Sequence, residues 1–529
     1  MILTLYRYIL RDFSRAFGLC WVALTLIVTL TNGVIQYFRV DGLNALELAQ
    51  VFLLFVPVAA TVVVPVAALF GAAITYGRMS ADNEITACRA AGLDVHRLLR
   101  PALLIAIGVA ALNYYGFNHL IPRFYRAGEA ITQRDFPKLV ASTLRNHRAG
   151  VVGDMALHPE RVGELRVDPN NPHLQYLELE RVVFLKRDDR DYGAFGTAER
   201  AVITFDMTGQ PSASATLYKL RWYDNKEYGE QDSFSLPPQT REIRPKDKLT
   251  YVDLTSLRAF QRDPMLIGEV AAAVRKLRNA MTATLTYEAV ADALQKGQPF
   301  RFTRGDDAAV LRASVSGRDS SHGDIGLAGP KAEVAGGGQV TQYDAATGEV
   351  LVEQAKDTNT LFVRITLRDL SADAGPRRPR QELPPMDIPA AVQGQMTALS
   401  DEELVYPKGP LPDNSSVLQA RALVEKLLDR KVAQIDSLIH FRSAWAVSAL
   451  PLILLAAMLG IRFRGGQVLT AFGVSCIPAF IVFLVLLLGR NQASNPQGSL
   501  HSHGLAMMWG IDALVSLLAV VAAYRTVDR

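Results

Sequence analysis

Three cysteines in 529 residues is a small number, and the long stretch between Cys88 and Cys476 contains none. The middle of the chain therefore has no disulfide to hold it, even in an oxidising compartment. Excess charge is also lacking: 56 Lys and Arg against 52 Asp and Glu leave +4, too little to argue for nucleic acid. There is no G-x-x-x-x-G-K-[ST] phosphate loop, because Gly336-Gly337-Gly338 runs on into Gln339 and Val340. ATP hydrolysis is thus not expected of this chain. No G-x-S-x-G elbow is present either. His501 and His503 are the nearest approach to a metal pair, and without a third ligand beside them they read as polar loop residues, with no metal expected. Behind the first apolar run no small-residue cleavage site follows, and Phe17-Gly18-Leu19 before Cys20 is a poor lipidation box. The start reads as a retained span.

What the chain does have is apolar sequence gathered at its two ends. Six runs without charge are each long enough for a bilayer, which needs roughly 20 apolar residues. They lie between Arg15 and Arg39, Glu47 and Arg78, Arg100 and Arg123, Arg442 and Arg462, Arg464 and Arg490, and His503 and Arg525. Pro57, Pro65, Pro451 and Pro478 fall inside them, as membrane helices tolerate. Basic residues then set the orientation. Arg7, Arg11 and Arg15, then Arg78, Arg89, Arg97 and Arg100, then Arg462 and Arg464, and finally Arg525 and Arg529 all fall on one side when six spans alternate. That side is expected to be the cytoplasm, with both termini there and the middle region outside. The domain reading is residues 1–121 for spans one to three, 122–439 for an outer β-rich domain, and 440–529 for spans four to six.

The outer region alternates apolar and polar residues as half-buried strands do. Leu174–Arg187, Arg200–Met207, Ala215–Asp224, Lys248–Leu254, Val310–Val315, Glu349–Gln354 and Leu361–Leu367 all read this way. Many short strands between turn residues suggest a sandwich, jellyroll or open barrel. Three insertions interrupt the pattern: about 266–296, helical and compatible with a helical hairpin; 316–338, glycine-rich; and 372–389, proline-rich. The last two read as linkers. A helix over about Ser416–Asp436 feeds the fourth span.

Between spans two and three lies the charged stretch Tyr76–Pro101. Ser80 can cap a helix there, with Asp82 and Glu84 in its first turn. Arg89 falls in the last turn, and Gly92 supplies a left-handed stop. Ala81, Ile85 and Cys88 form a narrow apolar stripe. The expectation is a helix over about 80–91 at the membrane surface, either a simple connector or a docking helix that takes force from a soluble partner.

The segment GRMSADNEITACRAAG, Gly77–Gly92, closely resembles one found in the LptF/LptG (YjgP/YjgQ) permeases of the lipopolysaccharide export machine. LYRYILRDF at Leu5–Phe13, His440-Phe441-Arg442 before the fourth span, and Trp509 in AMMWGID are similar to further family features. The resemblance implies a six-helix membrane bundle with a periplasmic jellyroll-like β domain, in the inner membrane. It implies one permease subunit, paired with a second LptF/LptG-type permease as a heterodimer and driven by a separate cytosolic ABC ATPase that binds the ATP. No cofactor is bound directly. Lipopolysaccharide would be drawn from the membrane and passed to periplasmic bridge proteins.

The resemblance assigns ATPase coupling to Glu84 first, with Asp82, Arg78 and Arg89 as further candidates, and lipid-phosphate contact to Arg39 at the outer end of the first span. The family's outer domain is smaller, so this chain carries extra material. Asp512 stands where the family more often has Asn, an intramembrane acid expected to be neutral or to face water. The competing reading is a membrane-anchored envelope scaffold or receptor without an ATPase. A four-span lipoprotein-releasing permease fits less well, since the domain here follows the third span. A lipid enzyme fits least, for want of an acid–base constellation.

Overall fold

A computed structural model describes the chain except residues 1, 40–44, 135, 146–149, 153–154, 188–191, 209–211, 225–226, 237–238, 241–248, 306, 319–324, 337–338, 355–359, 371–379, 408–413, 463–467 and 528–529. Two compact units emerge: Met1–Arg262 together with Val432–Arg529, and Asp263–Lys431.

The first unit opens with α1 (Ile2–Arg39), α2 (Ala45–Ala81), α3 (Glu84–Ala90) and α4 (Val95–Tyr115). One π-helical turn, Gly116–Leu120, leads into α5 (Ile121–Arg134) and α6 (Phe136–Arg145). A seven-stranded antiparallel sheet follows: β1 (Gly150–Val152), β2 (Met155–Val167), β3 (Leu174–Arg187), β4 (Tyr192–Asp206), β5 (Ser212–Asp224), β6 (Glu227–Ser235) and β7 (Gln239–Thr240). Then comes α7 (Leu254–Arg262). The second unit holds α8 (Gly268–Gln295) and a second seven-stranded antiparallel sheet: β8 (Phe300–Arg304), β9 (Asp307–Arg318), β10 (Ile325–Gly336), β11 (Gln339–Gln354), β12 (Leu361–Leu370), β13 (Arg380–Glu382) and β14 (Met386–Asp387). After it run α9 (Ala390–Ala398), α10 (Asp401–Val405), α11 (Ser415–Val447), α12 (Ala449–Arg462), α13 (Val468–Ala493) and α14 (Leu500–Val527).

Six helical stretches are long and apolar enough to cross a membrane: Leu3–Thr31, Phe55–Ala81, Val95–Ala127, Ser415–Arg462, Gly473–Ala493 and Leu500–Arg525. The fold is thus a membrane bundle plus β-rich structure, as the sequence implies. Burial of apolar surface cannot hold helices together in lipid, so close fit must do so. The second stretch is the packed centre, its small residues Ala67, Ala68, Ala72 and Ala73 fully buried. Gly460 of α12 rests against it so closely that a Cβ there would lie 2.8 Å from the Gly77 nitrogen. By contrast α1, α13 and α14 turn Leu19, Leu26, Phe480, Leu484, Leu514 and Leu517 outward.

Where the sequence reading and the fold differ, the cause is tertiary. Of the expected strand Lys248–Leu254, Lys248 lies outside the described residues and the rest is not a strand: Leu249–Tyr251 is a single 3-10 turn and Leu254 begins α7. The carbonyls of Thr250 and Val252, which a ladder would use, accept instead from Arg442. The helical insertion is no hairpin but one 28-residue helix, α8. Its threonines do not break it, because Thr282, Thr284 and Thr286 donate to the carbonyls of Arg278, Ala280 and Thr282. Much of 316–338 is strand rather than linker, with Ile325, Leu327, Ala332 and Val334 facing the core of the second unit. Of 372–389, residues 372–379 lie outside the described residues, and the remainder supplies β13 and β14.

Candidate coupling site

α3 is shorter than the sequence suggests, and its cap is different. α2 runs through Ser80 to Ala81, so Ser80 does not cap α3. Its hydroxyl donates instead to the carbonyl of Ile461, 3.0 Å away in the last turn of α12. Carbonyls there have no partner within their own helix. The chain turns at Asn83, which takes a left-handed φ of 58°, and α3 begins at Glu84. Its far end agrees with the reading. Gly92 has φ 80°, Gly92 N–H donates to Arg89 O and Leu93 N–H to Cys88 O, which is a Schellman stop. Of the apolar stripe, Ile85 is buried in the membrane-bundle core and Cys88 is half-buried, while Ala81 is exposed.

The charged residues of this stretch converge on Arg78. Its guanidinium lies 3.0 Å from Asp12, 3.5 Å from Asp82 and 3.7 Å from Glu84, and donates to Tyr8 Oη at 2.9 Å. Tyr8 in turn donates to both Glu84 oxygens, at 3.0 and 3.2 Å. Each donor thus meets an acceptor, and three elements are tied at one point: α1 through Tyr8 and Asp12, α2 through Arg78, and α3 through Glu84. Arg89 is half-buried and no ion pair with it is described. Sequence reading missed Tyr8 and Asp12. The available signal was their i, i+4 spacing beside Ile9 and Phe13, both buried on α1. The outward side of α3 carries Thr86, Ala87 and Ala90, all exposed and uncharged. Burial and the neighbouring Glu84 carboxylate push the Cys88 thiol above its ordinary value.

Residues 7–238 match the family model described as lipopolysaccharide export system permease LptF/LptG. Over these residues the chain is similar to the LptF/LptG permeases. The matched part, a little under half of the chain, takes in the first three spans, α3 and nearly all of the first sheet, and stops short of Asp263–Lys431. No curated protein matches the chain.

The other family-like positions form a second polar cluster in this chain, at the opposite end of its helices. Trp509 Nε1 donates to His440 Nδ1 at 3.1 Å. Asp436, one turn before His440, accepts from Gln261 and lies 3.0 Å from His501 Nε2, while His501 Nδ1 meets the Ala493 carbonyl. His501 is thus a tie between helices and not a free loop residue. Arg442, buried, donates to Asn118 Oδ1 and to the carbonyls of Thr250 and Val252. The π turn is what carries Asn118 to this point, and Arg490 adds a contact to Thr250 Oγ1 at 3.1 Å. Among the described residues, groups of acids, histidines and cysteines able to hold a metal are absent.

Of the remaining sequence candidates, Arg39 ends α1 but its side chain lies outside the described residues. Asp512 is buried in α14, and among the described residues neither of its carboxylate oxygens has a hydrogen-bond partner. One turn on, Ser516 lines a groove of about 330 Å³ with Leu99, Leu103, Leu454 and Val520, and His96 and Arg100 also line it. An apolar slot with the Arg100 guanidinium in its wall suits an acyl chain with an anionic head.

Proposed function

We propose that this chain is one permease subunit of an ATP-driven lipopolysaccharide exporter, with α3 as the element that takes force from a separate cytosolic ATPase. The family match over the spans and α3 carries this reading. The geometry around α3 supports a definite division of labour. A helix that transmits a push must be rigid against its own bundle and smooth toward its partner. Arg78, with Tyr8, Asp12, Asp82 and Glu84, supplies the rigid side. Thr86, Ala87 and Ala90 supply a face without charge or bulk, able to lie in a groove. Glu84 then acts chiefly as the brace that sets the angle of α3, with Arg78 and Asp82 in the same brace; Arg89 is left nearest the partner.

In this reading α3 and both termini face the cytoplasm and the sheets face the periplasm. The outward apolar faces of α1, α13 and α14 meet lipid or the second LptF/LptG-type permease. Lipid leaving the bundle passes to β-rich bridge proteins joined to the sheets by added strands, a mode in which backbone hydrogen bonds supply the affinity. Arg39 would meet a lipid phosphate at the outer end of α1.

The test is purification of the full chain from membranes in mild detergent, followed by reconstitution with the proteins that accompany it. A soluble nucleotide-binding subunit should co-purify, and lipopolysaccharide release from the proteoliposomes should require ATP. Recovery without any ATPase, with full function of an envelope complex, would instead establish the scaffold reading.

A further inference from the structure

The two sheets are one arrangement built twice. In each, a short first strand covers only the beginning of the second: β1 pairs Met155–Leu157 of β2, and β8 pairs Asp307–Leu311 of β9. The following strands run as an antiparallel meander, each neighbour next in sequence. A two-residue seventh strand then returns to the beginning of the fifth, β7 on Ser212 and Ala213, β14 on Phe362 and Val363. The third and fifth strands each contain one left-handed residue. In the first sheet these are Arg181 at φ 50° and Lys219 at φ 52°; in the second they are Gly329 at φ 56° and Asp369 at φ 55°. Three of the four carry a Cβ, and such residues rarely adopt this φ, so the recurrence on equivalent strands is a specific likeness. The residues extra to the family match therefore contain a second copy of the strand module that the match covers.

The copies differ at one edge. Because the first strand is short, the rest of the second strand has no strand beside it on that side among the described residues. Open edges invite foreign strands, and proteins close them with charge, proline and covering groups. On β2 the edge is closed in this manner. It carries Pro159, Glu160, Arg161, Glu164 and Arg166, and Arg145 of α6 donates to the Gly163 carbonyl at 2.9 Å. On β9 the equivalent run, Arg312–Arg318, has an arginine at each end, but Ala313-Ser314-Val315-Ser316-Gly317 between them is without charge or proline. Ser314, Ser316 and Gly317 are exposed, and Ala313 and Val315 are half-buried. Five residues is an ordinary strand length.

We propose that the β9 edge at Ala313–Gly317 is where this chain accepts an added strand from a β-rich envelope protein. The proposal rests on the bridge reading above and names the site of it. The second module supplies the open edge that the first has sealed.

The experiment places a photo-crosslinking residue at Ser316 and, separately, at Glu164 on the β2 edge, in the full chain in membranes that release lipopolysaccharide. Adducts are identified by mass spectrometry. The expected result is an adduct from Ser316 to a β-rich envelope protein, absent from Glu164. It should be lost when Ser314→Lys adds a charge to the edge, with the melting temperature of the chain unchanged. An adduct from Glu164 alone would overturn the assignment to β9 while leaving the bridge reading standing. An adduct from Ser316 to a second copy of this chain would overturn the proposal in favour of self-association. Absence of adducts at both positions, with lipid release intact, would overturn the bridge reading along with it.

Discussion

Tyr8 and Glu84 stand 76 positions apart in sequence, and the tyrosine hydroxyl donates to both oxygens of the carboxylate. This pair joins the first helix of the membrane bundle to the short helix that the family reading makes the point of force transfer. Because Tyr8 also accepts from Arg78, its hydroxyl is the hinge pin between a cation and an anion. Tyr8→Phe keeps the ring and removes both bonds. The expected outcome is a chain that still folds and still binds the ATPase proposed above, with lipid-dependent ATP hydrolysis reduced several-fold. A coupled activity equal to the parent's in reconstituted vesicles would show that the brace is not used.

Cys88 reports on both topology and electrostatics. With its thiol pushed up by burial and by Glu84, only a small fraction is thiolate near neutrality, and the thiolate is the reactive form. Labelling by a membrane-impermeant maleimide should be confined to the cytoplasmic side and should quicken as pH rises. Glu84→Gln removes the nearby negative charge, lowers the thiol's pKa and should quicken labelling at fixed pH. Labelling in intact spheroplasts would invert the orientation.

Arg442 holds three acceptors at once, two of them backbone carbonyls. Arg442→Met removes all three bonds and leaves the buried Asn118 oxygen without this donor, at a cost of about 1–3 kcal/mol. A marked fall in melting temperature in detergent is expected, and Arg442→Lys should recover only part of it, since an ammonium lacks the planar fork. Equal melting temperatures for Met and Lys would show the guanidinium geometry to be irrelevant.

Asp253 opens α7, accepting from the Ser256 backbone N–H and hydroxyl. Burial pushes its carboxyl up, but those two hydrogen bonds and nearby Arg126 outweigh it, so the net displacement is downward from 3.8. A depressed folded value means that the stabilisation is present above the unfolded value and is lost as pH falls through the folded one. Protection of α7 amides against hydrogen exchange should therefore be level from pH 5 to 8 and fall only in strong acid. Asp253→Asn should abolish that acid dependence, and its persistence would assign it to another group.

Among the described residues Asp512 has no partner for either carboxylate oxygen, and burying an unpaired charge is costly. Asp512→Asn should leave the melting temperature equal or raise it. If lipid release nevertheless falls, the acid is retained for transport and not for the fold; if release is unchanged, it serves neither.

How much of this was legible in advance follows from how far each signal reaches along the chain. Apolar runs of membrane length, and the period-two alternation of Leu174–Arg187, are written in neighbouring residues, and the helices and β3 form where those patterns lie. The Gly92 stop is local too, because only the residue after a helix has to turn left-handed. Ser80 marks where local reading ends. Its propensity to cap a helix is real, yet the cap it makes belongs to the carbonyl of Ile461, 381 positions on. Arg442 and Asn118, Tyr8 and Glu84, and the repeated module were likewise hidden, since each depends on which elements pack together and in what register. Sequence alone determined that apolar ends embrace a strand-rich middle, because solvation of each short segment decides that. Which polar groups meet, and which strand edge stays open, was decided only when buried donors and acceptors far apart in the chain had to find one another.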